Sequence, residues 1–101
     1  MALPRIVATA DDAVADIPDG AVVMVAGFAT PGVPQNLVKA LLRKGTRDLT
    51  CICNSCHGKN PNLYDVTRLV AADQVRKVIT SFSVYPGVNS AVEQAWRAGR
   101  L

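Results

Sequence analysis

Three groups of residues in this chain have types and spacings that can do chemistry. The first is a glycine-bearing turn, Ala26-Gly27-Phe28-Ala29-Thr30-Pro31-Gly32, set between an apolar run and a proline. Glycine lets a backbone approach a ligand with no side chain in between. A helix starting just afterwards would offer free N–H groups and a partial positive charge, which suit a phosphate or a developing oxyanion. A tight connection with no ligand is equally open on these residues alone. The spacing is not the G-x-G-x-x-G of dinucleotide folds, and no Lys-Ser or Lys-Thr pair follows as in a P-loop.

The second group is Cys51, Cys53, Cys56 and His57. Thiolate and imidazole suit zinc. C-x-x-C is also a redox spacing, and C-x-x-C-H formally fits covalent haem attachment. No second Cys/His pair lies downstream, and no export signal precedes. The expected reading is therefore two small strand residues and a polar loop, with no metal site. The third group is one residue. Glu93 is the sole glutamate, and its place three residues after Ser90 reads as a helix capping box rather than a nucleophile.

The elements that must position these groups follow from periodicity. Thr9, with an acid at Asp12, caps a first helix carrying Ala13, Val14 and Ile17, which Pro18 stops. Ala21 to Ala26 is a continuous apolar run between glycines and reads as a buried strand. Pro34 suits the first turn of a second helix, with Leu37, Val38, Leu41 and Leu42 as its stripe and Gly45 as a left-handed cap. Leu49 to Cys53 is the second strand. Asn62 is placed to cap a third helix bearing Leu63, Val66, Leu69 and Val70, with Asp65 as a dipole partner. Val75 to Phe82 is the third strand. Tyr85-Pro86-Gly87 turns the chain into a last helix with Val92 and Trp96, closed by Gly99. Tyr64, Tyr85 and Trp96 read as core or edge packing.

The strand centres fall roughly 28 residues apart, near one βαβ unit. The expected fold class is α/β, one domain over 1–101, with a parallel sheet and right-handed crossovers. Ligands in such sheets bind beyond the carboxyl ends of the strands. The loops starting at Gly27, Asn54 and Ser83 all belong to that edge.

Composition agrees with a folded domain: half the residues are hydrophobic and 19% are charged. A net charge of +3 with scattered Lys and Arg does not make a nucleic-acid patch. No apolar run is long enough to span a membrane. A reducing, cytoplasmic setting is the expectation from three bunched cysteines and no leader-like start.

The stretch from Asp19 to Pro34 resembles the α-subunit pattern of family I coenzyme A-transferases of the 3-oxoacid/acetate type. There an Asp-Gly, a short spacer and an apolar strand lead into G-G-F-x-x-x-G-x-P. Asp19, Gly20, Gly27, Phe28, Gly32 and Pro34 stand in register, and Ala26 replaces the first glycine of the pair. Leu49-Thr50 with Asn54, the strand Val75 to Ser81, and Gly99 extend the likeness. The loops Cys53 to Gly58 and Ser83 to Pro86 depart from it.

The resemblance implies the N-terminal portion of a three-layer domain of NagB/RpiA-like type. Coenzyme A is then a substrate rather than a resident cofactor. The reaction moves it from an acyl-CoA to a carboxylic acid through a glutamyl-CoA intermediate. The nucleophilic glutamate belongs to a β-type half, within a Ser-Glu-Asn-Gly-like motif absent here, so no catalytic residue is assigned to this chain. Ala26 to Gly32 become the CoA- or acyl-binding loop, and Asn54 and Ser55 a substrate-facing loop. A β-type half or subunit is the expected partner, in a homo- or hetero-oligomer. The other reading is a non-catalytic CoA-binding or remnant module of the same fold.

Overall fold

The computed structural model describes residues 3–56, 62–82 and 90–101. Seven elements alternate: α1 (Ala10–Val14), β1 (Val22–Val25), α2 (Gln35–Lys44), β2 (Leu49–Ser55), α3 (Val66–Ala71), β3 (Val75–Phe82) and α4 (Ala91–Arg97). The sheet is parallel, in the order β1-β2-β3. This is the α/β architecture expected, and β3 has the bounds read from the sequence.

Local chemistry explains the helix ends. The Thr9 hydroxyl accepts from the Asp12 N–H and starts α1. Gly45, at φ 73°, closes α2 in the left-handed conformation, which costs glycine little. The Ser90 hydroxyl accepts from the Glu93 N–H and starts α4. Several boundaries differ from expectation. α1 ends at Val14 and does not reach Ile17, and β1 is Val22–Val25 rather than Ala21 to Ala26. β2 continues through Asn54 to Ser55, so those two residues lie in the strand and not in a loop. Pro34 is the N-cap of α2 rather than a residue of its first turn. The cap of α3 is Asp65, whose carboxylate accepts from the Thr67 N–H at 2.9 Å, and not Asn62. A cap must sit within reach of the first free N–H groups, and α3 begins only at Val66.

Strand order and handedness decide which surface is buried. Both crossovers step the same way along the sheet, and connections of the usual right hand then put α2 and α3 on one face. That face holds Val25, Cys51 and, partly buried, Val78, which join Val38, Leu41, Leu69 and Val92 in the core. Leu49 and Cys51 are fully inaccessible. The opposite face is open. In register across the three strands, Met24 pairs with Ile52 and Ile52 with Ile79. Met24 is 79% exposed and Val22 65%.

The expectation of a wholly buried first strand is thus corrected: β1 is an edge strand with one covered face. A continuous apolar run looks the same whether one or both faces are later covered. Leu37 is likewise exposed, with Ala40 in the buried stripe of α2 instead. Trp96 stands out from α4 at 68% exposure rather than packing into the core.

Candidate functional site at the carboxyl edge of the sheet

β1 ends at Val25, which pairs with Cys53 of β2. The chain therefore leaves the sheet at Ala26 level with Asn54, and the two predicted groups of site residues meet at one edge. Ala26, Phe28, Thr30, Pro31 and Gly32 are exposed, while Gly27 and Ala29 are half-buried. The loop is drawn into a turn by the Phe28 N–H, which donates to the Pro31 carbonyl at 2.9 Å. Three of its residues have positive φ: Gly27 at 127°, Ala29 at 55° and Gly32 at 80°. Alanine rarely adopts that conformation, so its presence at 29 stores of order 1 kcal/mol of strain.

The two glycines serve different ends. A Cβ on Gly27 would lie 2.6 Å from Val33 Cγ2, so this glycine admits the return of its own chain. A Cβ on Gly32 would meet only the Gly27 Cα, at 3.7 Å. Gly32 is thus the position where the backbone stays open to an approaching molecule. Immediately beyond lies the start of α2, where no side chain caps the N-terminal N–H groups. A ten-residue helix presents a partial positive charge there.

On the neighbouring strand, the Asn54 carbonyl is held by two hydroxyls. Thr80 Oγ1 donates to it at 3.0 Å and Ser81 Oγ at 2.9 Å. The Asn54 side chain is left exposed and Ser55 half-buried. The loop expected at Ser83 and the turn at Tyr85-Pro86-Gly87 lie outside the described residues, as does His57.

Three thiols sit beneath this edge, all free. Burial first, and then the Cys53 charge, push Cys51 up to about 11. Cys53 is lowered to about 7, chiefly because the Cys56 thiol hydrogen-bonds to it; desolvation and the Asp65 charge oppose the shift. Cys56 moves up in turn, as the donor of that bond and as a buried group. Thr80 can also turn its hydroxyl toward Cys53, but it has a single proton and the Asn54 carbonyl competes for it. Among the described residues no three Cys, His, Asp or Glu side chains gather to hold a metal.

Glu93 belongs elsewhere. Its carboxylate pairs with Arg97 at 2.7 Å. It lines a groove of about 380 Å³ against Arg76, Val78 and Thr80 of β3, on the opposite edge of the sheet from β1. Tyr64 lies between two cations, 4.7 Å from Lys39 Nζ and 4.5 Å from Arg68 Cζ.

Sequence reasoning missed the part played by the buried Gln74, and read Asp65 only as a dipole partner at the start of α3. Gln74 Nε2 donates to the carbonyls of Leu41 and Thr46, at 3.0 and 2.9 Å, and ties the end of α2 to the start of β3. Asp65 buries its carboxylate, and its Oδ2 has no hydrogen-bond partner among the described residues. A polar residue beside a strand carries no periodic signal, so only its contacts reveal it.

A parallel α/β sheet with an open glycine turn and a helix start at its carboxyl edge belongs to the class of α/β folds in which ligands, where they bind, sit beyond the strand ends. Similarity to known proteins narrows this: residues 7–101 match the coenzyme A transferase family, and the chain belongs to it. It is 39% identical over 88 residues to human mitochondrial succinyl-CoA:3-ketoacid coenzyme A transferase 2, covering 87% of this chain and 16% of that protein. It is 37% identical over 89 residues to a 3-oxoadipate CoA-transferase subunit from Pseudomonas putida, covering 88% and 37%. Glutaconate coenzyme A-transferase from Acidaminococcus fermentans superposes with a TM-score of 0.75 at 26% identity, over 93% of this chain and 29% of that one. A variant of the decarboxylase AibA/AibB does so at 0.73 and 28%, over 93% and 36%. The chain thus spans well under half the length of these relatives. No helix among the described residues is long and apolar enough to cross a membrane.

Proposed function

We propose that this chain supplies the coenzyme A and acyl-binding loop of a CoA-transferase whose nucleophile lies in a β-type partner. The observation that carries this reading is the shared edge. Ala26 to Gly32, the uncapped start of α2 and Asn54 converge there, while the one glutamate lies at the other side of the sheet bound to Arg97.

The chemistry divides accordingly. A carboxylate of the partner attacks the acyl-CoA thioester carbon, the C–S bond of the tetrahedral adduct breaks, and CoA leaves as thiolate, with a mixed anhydride left on the carboxylate. The thiolate then attacks the enzyme's own acyl carbon, giving a glutamyl-CoA thioester and free acid. A second acid reverses the sequence and takes the CoA. Negative charge builds on a carbonyl oxygen at every addition. Backbone N–H groups at the Gly32 turn and the start of α2 are fixed donors for that charge or for a CoA phosphate, and need no reorganisation.

The test is reconstitution with a β-type half. CoA transfer from an acyl-CoA to short carboxylates, succinate and acetoacetate among them, is expected from the pair and not from this chain alone. Gly32→Val puts a branched side chain at φ 80° and should weaken CoA binding by about tenfold, ~1.4 kcal/mol. Equal affinity in mutant and parent removes the loop from the site. CoA binding by the pair without transfer favours the non-catalytic module instead.

A further inference from the structure

The thiols at the end of β2 form a second constellation, independent of what the neighbouring loop binds. Cys53 and Cys56 place their sulfur atoms 3.6 Å apart. Both backbones are anchored. Cys53 stands in the ladder between Val25 and Thr80, and the Cys56 N–H donates to the Phe82 carbonyl at 3.2 Å. We propose that Cys53 and Cys56 are a peroxide-reactive dithiol that closes to an intramolecular disulfide across the end of β2.

Burial assigns the roles. Cys53 is half-buried and meets solvent, whereas Cys56 is wholly inaccessible. A hydroperoxide reaches Cys53 first. The Cys53 thiolate attacks the peroxide oxygen, the O–O bond breaks, and hydroxide or alkoxide leaves from a sulfenic acid. The Cys56 sulfur then attacks the Cys53 sulfur, the S–O bond breaks, and water leaves as the disulfide forms. Two thiols lose two electrons and two protons, and the peroxide takes up both. The sulfur atoms must close from contact to about 2.05 Å, a movement of side-chain torsions between residues three apart.

The charges around the pair mostly favour this order. The hydrogen bond from Cys56 stabilises the Cys53 thiolate and lowers it to about 7, while the Asp65 carboxylate works against ionisation of both. Relative to a thiol at 9.0, that is roughly fifty-fold more thiolate near neutral pH, partly offset by weaker nucleophilicity, for a net gain of roughly sixfold. Cys51 is the internal control. It is fully buried and raised to about 11, so it should stay reduced.

The experiment treats the reduced chain with hydrogen peroxide and reads free thiols, intact mass and non-reducing mobility. Free thiols should fall from three to one, with the mass of two hydrogens lost, no dimer, and full reversal by dithiothreitol. Cys51→Ser should behave like the parent, and Cys53→Ser should lose no thiol pair. Cys56 is buried, so Cys56→Ala serves beside Cys56→Ser in case the hydroxyl unfolds the site. In folded Cys56→Ala, alkylation of Cys53 by iodoacetamide at neutral pH should slow by up to roughly sixfold. Sulfinic acid at Cys53 with Cys56 still free would overturn the proposal, and so would an inter-chain disulfide or three unreacted thiols.

Discussion

Gly27 and Val33 face each other across the turn that leaves β1, and the Val33 Cγ2 fills the place where a Cβ on residue 27 would be, 2.6 Å away. The contact folds the loop back on itself before α2 begins. Gly27→Ala must both adopt φ 127° and displace a branched side chain. A loss of about 2–3 kcal/mol is expected. Gly20 also has a positive φ, 80°, but nothing lies within 4 Å of its Cβ position. Gly20→Ala should therefore cost only about 1 kcal/mol. Paired urea melts decide this, and equal losses would mean that Val33 simply moves aside.

The sequence foretold the turn but not this use of it. Asp19, Gly20, Gly27, Phe28, Gly32 and Pro34 are readable as a spaced pattern, and the parallel sheet is readable from alternating apolar runs. Which glycine faces open space and which admits Val33 depends on how the chain returns, and no local pattern carries that. The half-exposed nature of β1 was hidden for a related reason. Val22 and Met24 are as apolar as Val23 and Val25, so only strand order and crossover handedness reveal an open face. The contact between Cys53 and Cys56 was legible as a spacing, but its distance and the burial of one partner were not.

Gln74 should carry more stability than a polar residue before a strand suggests. Replacing it with leucine keeps the bulk and strips two buried carbonyls, those of Leu41 and Thr46, of a donor. Leu41 keeps the Gly45 N–H as a partner, so the main penalty falls at Thr46. A cost of about 2 kcal/mol is expected, or a fall in Tm of roughly 8–16 °C for a domain of this size. A change below about 0.5 kcal/mol, the range of ordinary surface substitutions, would show that water replaces the amide.

Cys51 predicts an alkaline weakness. Its thiol is raised from 9.0 to about 11 by burial, so the unfolded chain gives up this proton first. The unfolded state then binds fewer protons than the folded one, and stability falls as pH rises from about 9 to about 11. Below that window the stability is complete; above it no more is lost from this group. At ~1.4 kcal/mol per unit the loss is about 3 kcal/mol. Cys56 acts in the same sense, so Cys51→Ala should shallow the pH slope without flattening it. Denaturant melts across the window read the slope, and identical slopes in parent and variant would contradict the assignment.

The open sheet face should make the isolated chain associate. Met24, Ile52 and Ile79 form one row across all three strands, and Met24 and Ile79 are 79% and 46% exposed. Parallel sheets are ordinarily covered on both faces, and an apolar patch of this kind marks a contact surface. Sedimentation at micromolar concentration is expected to show oligomers. Burying one methionine contributes about 2 kcal/mol, so Met24→Lys should weaken association by roughly thirtyfold. The substituted position is already exposed, which keeps the fold intact. Circular dichroism should therefore match the parent while the sedimentation profile shifts to monomer. Trp96, the single tryptophan, stands on α4 beyond the covered face, and its emission should stay unchanged by the substitution. A parent that is monomeric throughout would refute association through this face, and oligomers that Met24→Lys leaves untouched while Trp96 emission responds to dilution would place the contact on the α4 side and not on this row.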